Sequence, residues 1–265
     1  MNDETHTWHY GIVARYWAER NVGGPEIDYV QKQIERNGQP ALDAGCGTGR
    51  LLIPFLRAGL DVDGCDVSGD MLALCREKAE SEGLSPRLYR QALHELDLPR
   101  SYQTIAAIGA FGIGVNREQD FRALQRFYAH LNPGGLLLLD NHLAYESAAE
   151  WQLWLRERRE QLPDPWPEGV GSTPPDGGTG YALHSRVVAF DPLEQRITRE
   201  MRAELWRDGQ PVAQEEYVLT ENFYMRNELR LLLERAGFHV KAIQGDYTEV
   251  EATVEHGVLV FLAHK

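Results

Sequence analysis

The sequence predicts an α/β protein: a doubly wound, mostly parallel seven-stranded sheet with a small antiparallel β insertion after the fifth strand. Three observations lead there. Short apolar strand signals alternate with helix signals through the first half of the chain. LDAGCGTGR (42–50) sets a glycine turn between the first strand and the helix that follows, and three alternating strand runs separate the fifth strand from the last helix.

Residues 25–36, PEIDYVQKQIER, place Ile27, Val30 and Ile34 at helical spacing among charges. PALDAG follows as a short buried strand; Thr48 starts a helix running to Ala58, and Gly59 ends it. LDVDGCDV is the second strand, through Asp66, and Ser68 N-caps a helix closed by Gly83. PRLYRQAL and QTIAAIGAF are the third and fourth strands, joined by the polar HELDLPRS. A helix from about Glu118 to Leu131 stops at NPGG, and LLLLDNH is the continuous apolar strand of a sheet covered on both faces.

Beyond it, AYESAAEWQLWLRERREQL reads as one amphipathic helix, and the Pro/Gly-rich stretch 163–180 as a lid or a disordered segment. YALHSRVVAFD, RITREMRAELWRDG and VAQEEYVLTENFY are strands. In the middle run Ile197, Met201, Ala203 and Leu205 alternate with Thr198, Glu200, Arg202 and Glu204, the mark of a sheet with one wet face. MRNELRLLLERAGFHV is a helix capped by Gly237, and VKAIQGDY and HGVLVFLAHK are the final strands.

Composition limits what such a chain does. With 265 residues, 43% of them hydrophobic, it forms one domain with insertions. Lys+Arg number 27 against 40 Asp+Glu, a formal charge of −13, so phosphate backbones and anionic lipid are repelled and neither nucleic acid nor membrane is an expected partner. No run of 18 apolar residues occurs, and MNDETHTWHYG lacks the basic and apolar regions of a leader. Cys46, Cys65 and Cys75 lack metal or redox spacing and read as small buried thiols in a reducing, cytoplasmic setting.

Ligands of doubly wound sheets bind beyond the carboxyl ends of the strands. Here that means the turn after Asp43, the end of the second strand at Asp66, the turn after Tyr89, and the segments after Ile108 and Leu139. Gly45 and Gly47 let a ligand approach the backbone, and the following helix start offers unpaired N–H groups to a carboxylate or phosphate. Asp66 lies 21 residues after Gly45, the separation at which an acid accepts hydrogen bonds from ribose hydroxyls. A nucleoside-containing ligand is expected.

The glycines run G-x-G-x-G after Asp43 and are followed by Arg50, unlike the G-x-G-x-x-G dinucleotide pattern. This stretch resembles the first motif of the class I S-adenosylmethionine-dependent methyltransferases. GCDVSGDMLALCREKA, RQALHELDLPRSYQTIAAI and HLNPGGLLLLD are similar to that family's later motifs, so the likeness covers 41–140. It implies a Rossmann-like sheet and S-adenosyl-L-methionine as cofactor, with S-adenosyl-L-homocysteine as product. Ala44 and Gly45 would approach the methionine part, Asp66 the ribose, and Val67 and Met71 the adenine. Gln91 and Ala92 stand where the family often has an acid that reads the adenine amino group, and Tyr16 where an N-terminal Tyr meets the cofactor carboxylate. No N/D-P-P-Y/F tetrapeptide follows the fourth strand, so amide or exocyclic adenine methylation gains no support.

The resemblance implies a division of the single domain 1–265 into a helical lid (1–37), a cofactor-binding core (38–145), a substrate-side helix, loop and antiparallel insertion (146–222), and a last helix with the final strands (223–265). An insertion so placed is similar to that of small-molecule N-methyltransferases. The expected partner is a small-molecule acceptor and the expected state a monomer or homodimer. His142, just past the fifth strand, is the candidate general base, with Asn141 orienting the acceptor; Trp8, His9, Tyr10, His184, Arg186 and Tyr217 are candidate acceptor contacts. The alternatives are an NAD(P)-dependent oxidoreductase, which shares the glycine turn and the acid, and a non-catalytic binding protein on the same fold.

Overall fold

The structure is a computed structural model that describes residues 9–143, 147–167 and 178–265. Along the chain run β1 (Ala41–Ala44), β2 (Val62–Asp66), β3 (Arg87–Arg90), β4 (Tyr102–Ala107) and β5 (Leu131–His142). The antiparallel β6 (Thr179–Asp191), β7 (Arg196–Arg207) and β8 (Gln210–Asn222) follow, then β9 (His239–Gly245) and β10 (Val258–His264). The main sheet has the order β3-β2-β1-β4-β5-β10-β9, with β10 antiparallel to both neighbours; β6-β7-β8 form a second sheet. This is the doubly wound, mostly parallel arrangement with an insertion that the sequence predicts.

Why the chain adopts it is clearest in β5, whose successive leucines all become core. Leu136 and Leu138 pack with Val30, Ile34, Leu52 and Phe55 from α2 (Pro25–Asn37) and α3 (Leu52–Arg57), and α4 (Gly69–Ser81) adds Leu72 and Cys75. Leu137 and Leu139 face the other way, toward Leu124 and Phe127 of α5 (Arg117–His130) and Leu229 and Leu233 of α8 (Arg226–Arg235). Alternate residues of a strand point to opposite faces, so a continuous apolar run demands helices on both.

Two expected helices differ. The one expected from Thr48 begins at Leu52, because 47–51 stay in a turn around Gly49, whose φ of +87° is left-handed. The helix expected over 144–162 is two short pieces, α6 (Ala148–Gln152) and α7 (Arg156–Arg159), with 144–146 outside the described residues. Between them Leu153 and Trp154 both pack on Val187, Phe190 and Ile197 of the insertion. Adjacent residues of one helix point about 100° apart, and Leu155 turns extended (φ −83°, ψ 137°) as the chain leaves that surface. The RDGQ turn is a two-residue hairpin with φ of +50° at Asp208 and +73° at Gly209, so β8 starts at Gln210.

The insertion is fastened to the core beside the end of β4. Asn222 N–H donates to the Gly112 carbonyl and Gly114 N–H to that of Thr220, both at 2.8 Å. Beneath lies Asp120 of α5, buried, accepting from Gly112 N–H (3.2 Å), Asn222 Nδ2 (2.7 Å) and the Tyr224 hydroxyl (2.6 Å). Burial raises the Asp120 carboxyl above its ordinary range, and its three donors only partly offset that. Asp120→Ala strands those donors, and urea denaturation should show a loss of about 2–3 kcal/mol; a loss below about 0.5 kcal/mol would mean that the joint does not depend on this carboxylate.

Candidate functional site

At the carboxyl end of β1 the chain enters the glycine turn, and the next strands close around it. Gly45 sits at φ +87°, where a Cβ would lie 2.3 Å from the Ala110 Cβ, so the turn and the loop after β4 touch backbone to side chain. Gly47, at φ +52°, would carry a Cβ into open space. The N–H groups of Gly45 and Cys46 donate to the Cys65 carbonyl (2.8 and 2.9 Å), and that of Gly49 to the Cys46 carbonyl (2.9 Å). Gly47 N–H donates to Asp66 Oδ2 at 2.9 Å. The helix start expected to offer unpaired N–H groups therefore has these four already engaged within the protein.

Asp66 holds two turns at once, since its Oδ1 also accepts from Ser68 N–H at 2.8 Å. Its carboxyl is raised chiefly by burial, against which those bonds work. Asp43, one layer deeper and 2% exposed, differs: its Oδ2 has no hydrogen-bond partner. Burial first, and then the charge of Asp66, push its carboxyl up to about 7; a bond from Leu52 N–H acts in the opposite sense.

These residues form the floor of a cleft of about 340 Å³. Val67, Met71, Ala92 and Leu93 make an apolar side, and Trp17 and Asn21 close it from α1 (Gly11–Arg20) and its C-cap. Phe111, Gly112 and Ile113 form the opposite wall with Glu221 of β8. Helix α1 is held over the opening from α4 and from β8 of the insertion: Gly11 N–H donates to Asp70 Oδ2 and Ile12 N–H to Glu215 Oε2, each at 2.7 Å. Two imidazoles face the cleft. His9 is pushed down to about 4 by burial, and His94 lies with Nε2 3.3 Å from Gln119 Nε2.

Of the expected site residues, Gly45, Gly47, Asp66, Val67, Met71, Gln91, Ala92 and His9 line this cleft. Gln91 does so with its amide engaged, its Oε1 accepting from Asp97 N–H (2.8 Å) and its Nε2 donating to the Asp97 carbonyl (3.1 Å). Ala44 is fully buried in β1 behind the turn. Tyr16 turns away to pack edge-on against Trp17, the next residue, which faces the cleft instead.

The other candidates lie outside the lining. His142 is 70% exposed, with Nε2 3.8 Å from Asp140 Oδ2, because pairing with Val258 carries β5 past the cleft. Asn141 donates to the Tyr224 carbonyl (2.9 Å). His184 lies 3.9 Å from Glu204, and Arg186 pairs with Glu200 (2.6 Å) and stacks on Trp166. Tyr217 donates to the Tyr10 carbonyl (3.1 Å), and the two rings meet edge-on. Trp8 is outside the described residues. Sequence reasoning placed Trp17 near the cleft with the other N-terminal aromatics, named Asp43 without giving it a task, and missed Arg50, Asp120 and Glu221; the i, i+4 pair Val13 and Trp17 marks the inner face of α1.

Residues 41–135 match the family described as "Methyltransferase domain". A putative methyltransferase of Geobacillus sp. (strain WCH70) is 30% identical over 143 residues, 49% of this chain and 57% of that protein. The glycine/sarcosine N-methyltransferase of Halorhodospira halochloris is 34% identical over 115 residues, 42% of this chain and 43% of that one. The chain thus spans about half the length of the curated relatives it matches. Among solved structures, an S-adenosylmethionine-dependent methyltransferase from Clostridium acetobutylicum has the same fold (TM-score 0.72, 17% identity, 93% of each chain). So does CalS10, an amino pentose methyltransferase from Micromonospora echinaspora with S-adenosylmethionine bound (TM-score 0.63, 20% identity, 99% of this chain and 100% of that one).

Asp43 also gives the protein a pH signature. Its folded value of about 7 exceeds the ordinary carboxylate value of about 4. Across that window the native state keeps a proton that the unfolded chain releases, so this group's contribution to stability falls as pH rises from about 4 to 7. Asp43→Asn should remove that slope, with the melting temperature of the variant gaining on the wild type between about pH 4 and 7; parallel curves would place the Asp43 titration elsewhere.

Proposed function

We propose that this chain, which belongs to the class I S-adenosylmethionine-dependent methyltransferase family, transfers a methyl group to a nitrogen or oxygen of a small-molecule acceptor. The carrying observation is one roofed cleft in which a glycine turn with its N–H groups engaged lies beside two carboxylates. A dinucleotide pyrophosphate needs those N–H groups as donors, so this turn favours a ligand without phosphate. That disfavours the NAD(P) reading.

The residues fit S-adenosylmethionine part by part. Asp66 keeps lone pairs for a ribose diol beyond the N–H bonds it accepts. Val67, Met71, Ala92 and Leu93 offer apolar surface to the adenine, and the unpartnered Asp43 oxygen suits the methionyl ammonium beside Gly45. When bound, the cofactor supplies an electrophilic methyl group on a sulfonium. The chain's task is to hold the acceptor in line about 3 Å from that carbon and to keep water out. Helix α1 and the wall at 111–113 enclose the cleft, which favours a small acceptor over a polymer.

In this reading residues 1–37 are the lid, 38–145 the cofactor half, and 146–222 the acceptor side. An amine acceptor needs only a free lone pair, whereas a hydroxyl acceptor gains from a base. His9 and His94, which face the cleft, stand where such a proton would go, in place of the exposed His142. The glycine/sarcosine N-methyltransferase among the relatives supports nitrogen.

Calorimetric titration with S-adenosylhomocysteine, S-adenosylmethionine and NAD(P) tests the reading. Micromolar binding of the first two alone is expected; binding of NAD(P) alone would overturn it. Asp66→Ala should weaken S-adenosylhomocysteine binding by about 1–3 kcal/mol, and an unchanged affinity in the folded variant would remove Asp66 from the ribose site.

A further inference from the structure

The insertion side of the cleft carries an acid that the reading above leaves without a task. Glu221 of β8 is in the lining, and its partner across an isolated antiparallel bridge is Ile113, so the two side chains share one face. Its Oε2 accepts from Arg199 Nε at 3.0 Å. The same guanidinium donates through Nη2 to Glu150 of α6, which lies outside the lining. One cation therefore serves two carboxylates, and among the described residues neither has a second cationic partner. The cluster keeps one negative charge. Glu221 Oε1, without a hydrogen-bond partner among the described residues, is the oxygen that offers it to the cleft.

The remaining charges of the lining are already committed. Asp120 spends its carboxylate on Gly112, Asn222 and Tyr224. Arg50, the one lysine or arginine of the lining among the described residues, pairs with Glu26 of α2. His9 is held neutral by burial. Trp17, Phe111 and Ile113 of the same lining supply aromatic and apolar surface. A carboxylate set in such a wall is complementary to a small molecule with an ammonium on an apolar frame: the ammonium takes the free oxygen in a charge-assisted hydrogen bond, and the walls cover the frame. An anionic acceptor is repelled here, and the formal charge of −13 draws cations toward the opening.

We propose that Glu221 selects acceptors that carry a protonated amine, its free oxygen receiving the ammonium while Arg199, shared with Glu150, is the positioning residue that fixes the carboxylate in the wall. The proposal rests on the small-molecule acceptor reading above and narrows it by charge: a neutral alcohol or a carboxylate of the same shape gains no such contact.

The test is calorimetric titration of the wild type, Glu221→Gln and Glu150→Gln with benzylamine, a cation at neutral pH, and with benzyl alcohol, its neutral counterpart of the same shape. The titrations are run at low salt, on the protein alone and with S-adenosylhomocysteine saturating. The wild type should bind benzylamine at least about tenfold tighter than benzyl alcohol, and Glu221→Gln should bring the two within about twofold of each other without changing the affinity for S-adenosylhomocysteine. Glu150→Gln leaves Arg199 wholly to Glu221 and should cut the preference about threefold with benzyl alcohol unmoved, an effect that packing alone does not produce. A wild type that binds benzylamine no tighter than benzyl alcohol, or not at all, overturns the proposal, as does a preference that survives in Glu221→Gln. If Glu221→Gln does not fold, Glu150→Gln carries the comparison, and an unchanged preference there overturns it. A wild type that does not bind S-adenosylhomocysteine sinks the cofactor reading instead, while the titrations on the protein alone still decide the role of Glu221.

Discussion

Buried carboxylates hold the cleft open by gripping glycine loops through their N–H groups. Asp66 takes Gly47 and Ser68, Asp140 takes Gly109, and Asp120 takes Gly112. Each loop leaves the carboxyl end of a parallel strand, where neighbouring chains diverge and backbone donors would otherwise face solvent or a ligand. Removing a carboxylate from water costs several kcal/mol, and a charged hydrogen bond returns about 1.5–3 kcal/mol. The raised values of Asp66 and Asp120 place both on the costly side of that balance. A ligand that brings further donors to Asp66 would move it back toward the ordinary range.

The same economy explains why the glycine turn serves shape more than charge. With the N–H groups at 45, 46, 47 and 49 engaged, the turn offers a bare surface at Gly47 and a close approach at Gly45. The charges beside it are on side chains, Asp43 before the turn and Arg50 after it. A phosphate-binding turn inverts this division, presenting its N–H groups and needing no acid beneath them.

Much of this was legible in the sequence, for reasons that differ by residue. The leucines of β5 and the glycine turn were readable because burial on two faces and a positive φ each restrict the residue type almost alone. Asp66 was readable by its spacing from Gly45. Other features depend on partners distant in the chain. Asp120 reads as an ordinary polar position of α5 until Asn222 and Tyr224, about 100 residues on, reach it. Tyr16 and Trp17 are adjacent aromatics, and only the packing of Ile12 and Val13 against Met201 and Tyr217 fixes which of the two turns inward. His142 failed to reach the cleft because β10, from the far end of the chain, extends β5 by pairing. The helix expected after β5 broke because the insertion surface asks for two adjacent residues, Leu153 and Trp154.

These long-range ties also decide how such a site can diversify. The floor of the cleft comes from β1, β2 and their turns, whereas the wall at 112–114 is bonded to Thr220 and Asn222, so the insertion braces one wall of the cleft directly. Glu221 enters the lining from that strand while Arg199, on the adjacent β7, holds its carboxylate at 3.0 Å. The first turn of helix α1 is tied to Asp70 of α4 and to Glu215 of the insertion, so it bridges the core and the insertion. A substitution deep in the insertion therefore reaches that wall of the cleft through backbone hydrogen bonds without touching the residues under Gly45 and Gly47. One side of the cleft is therefore free to change while the side built on β1 and β2 stays fixed.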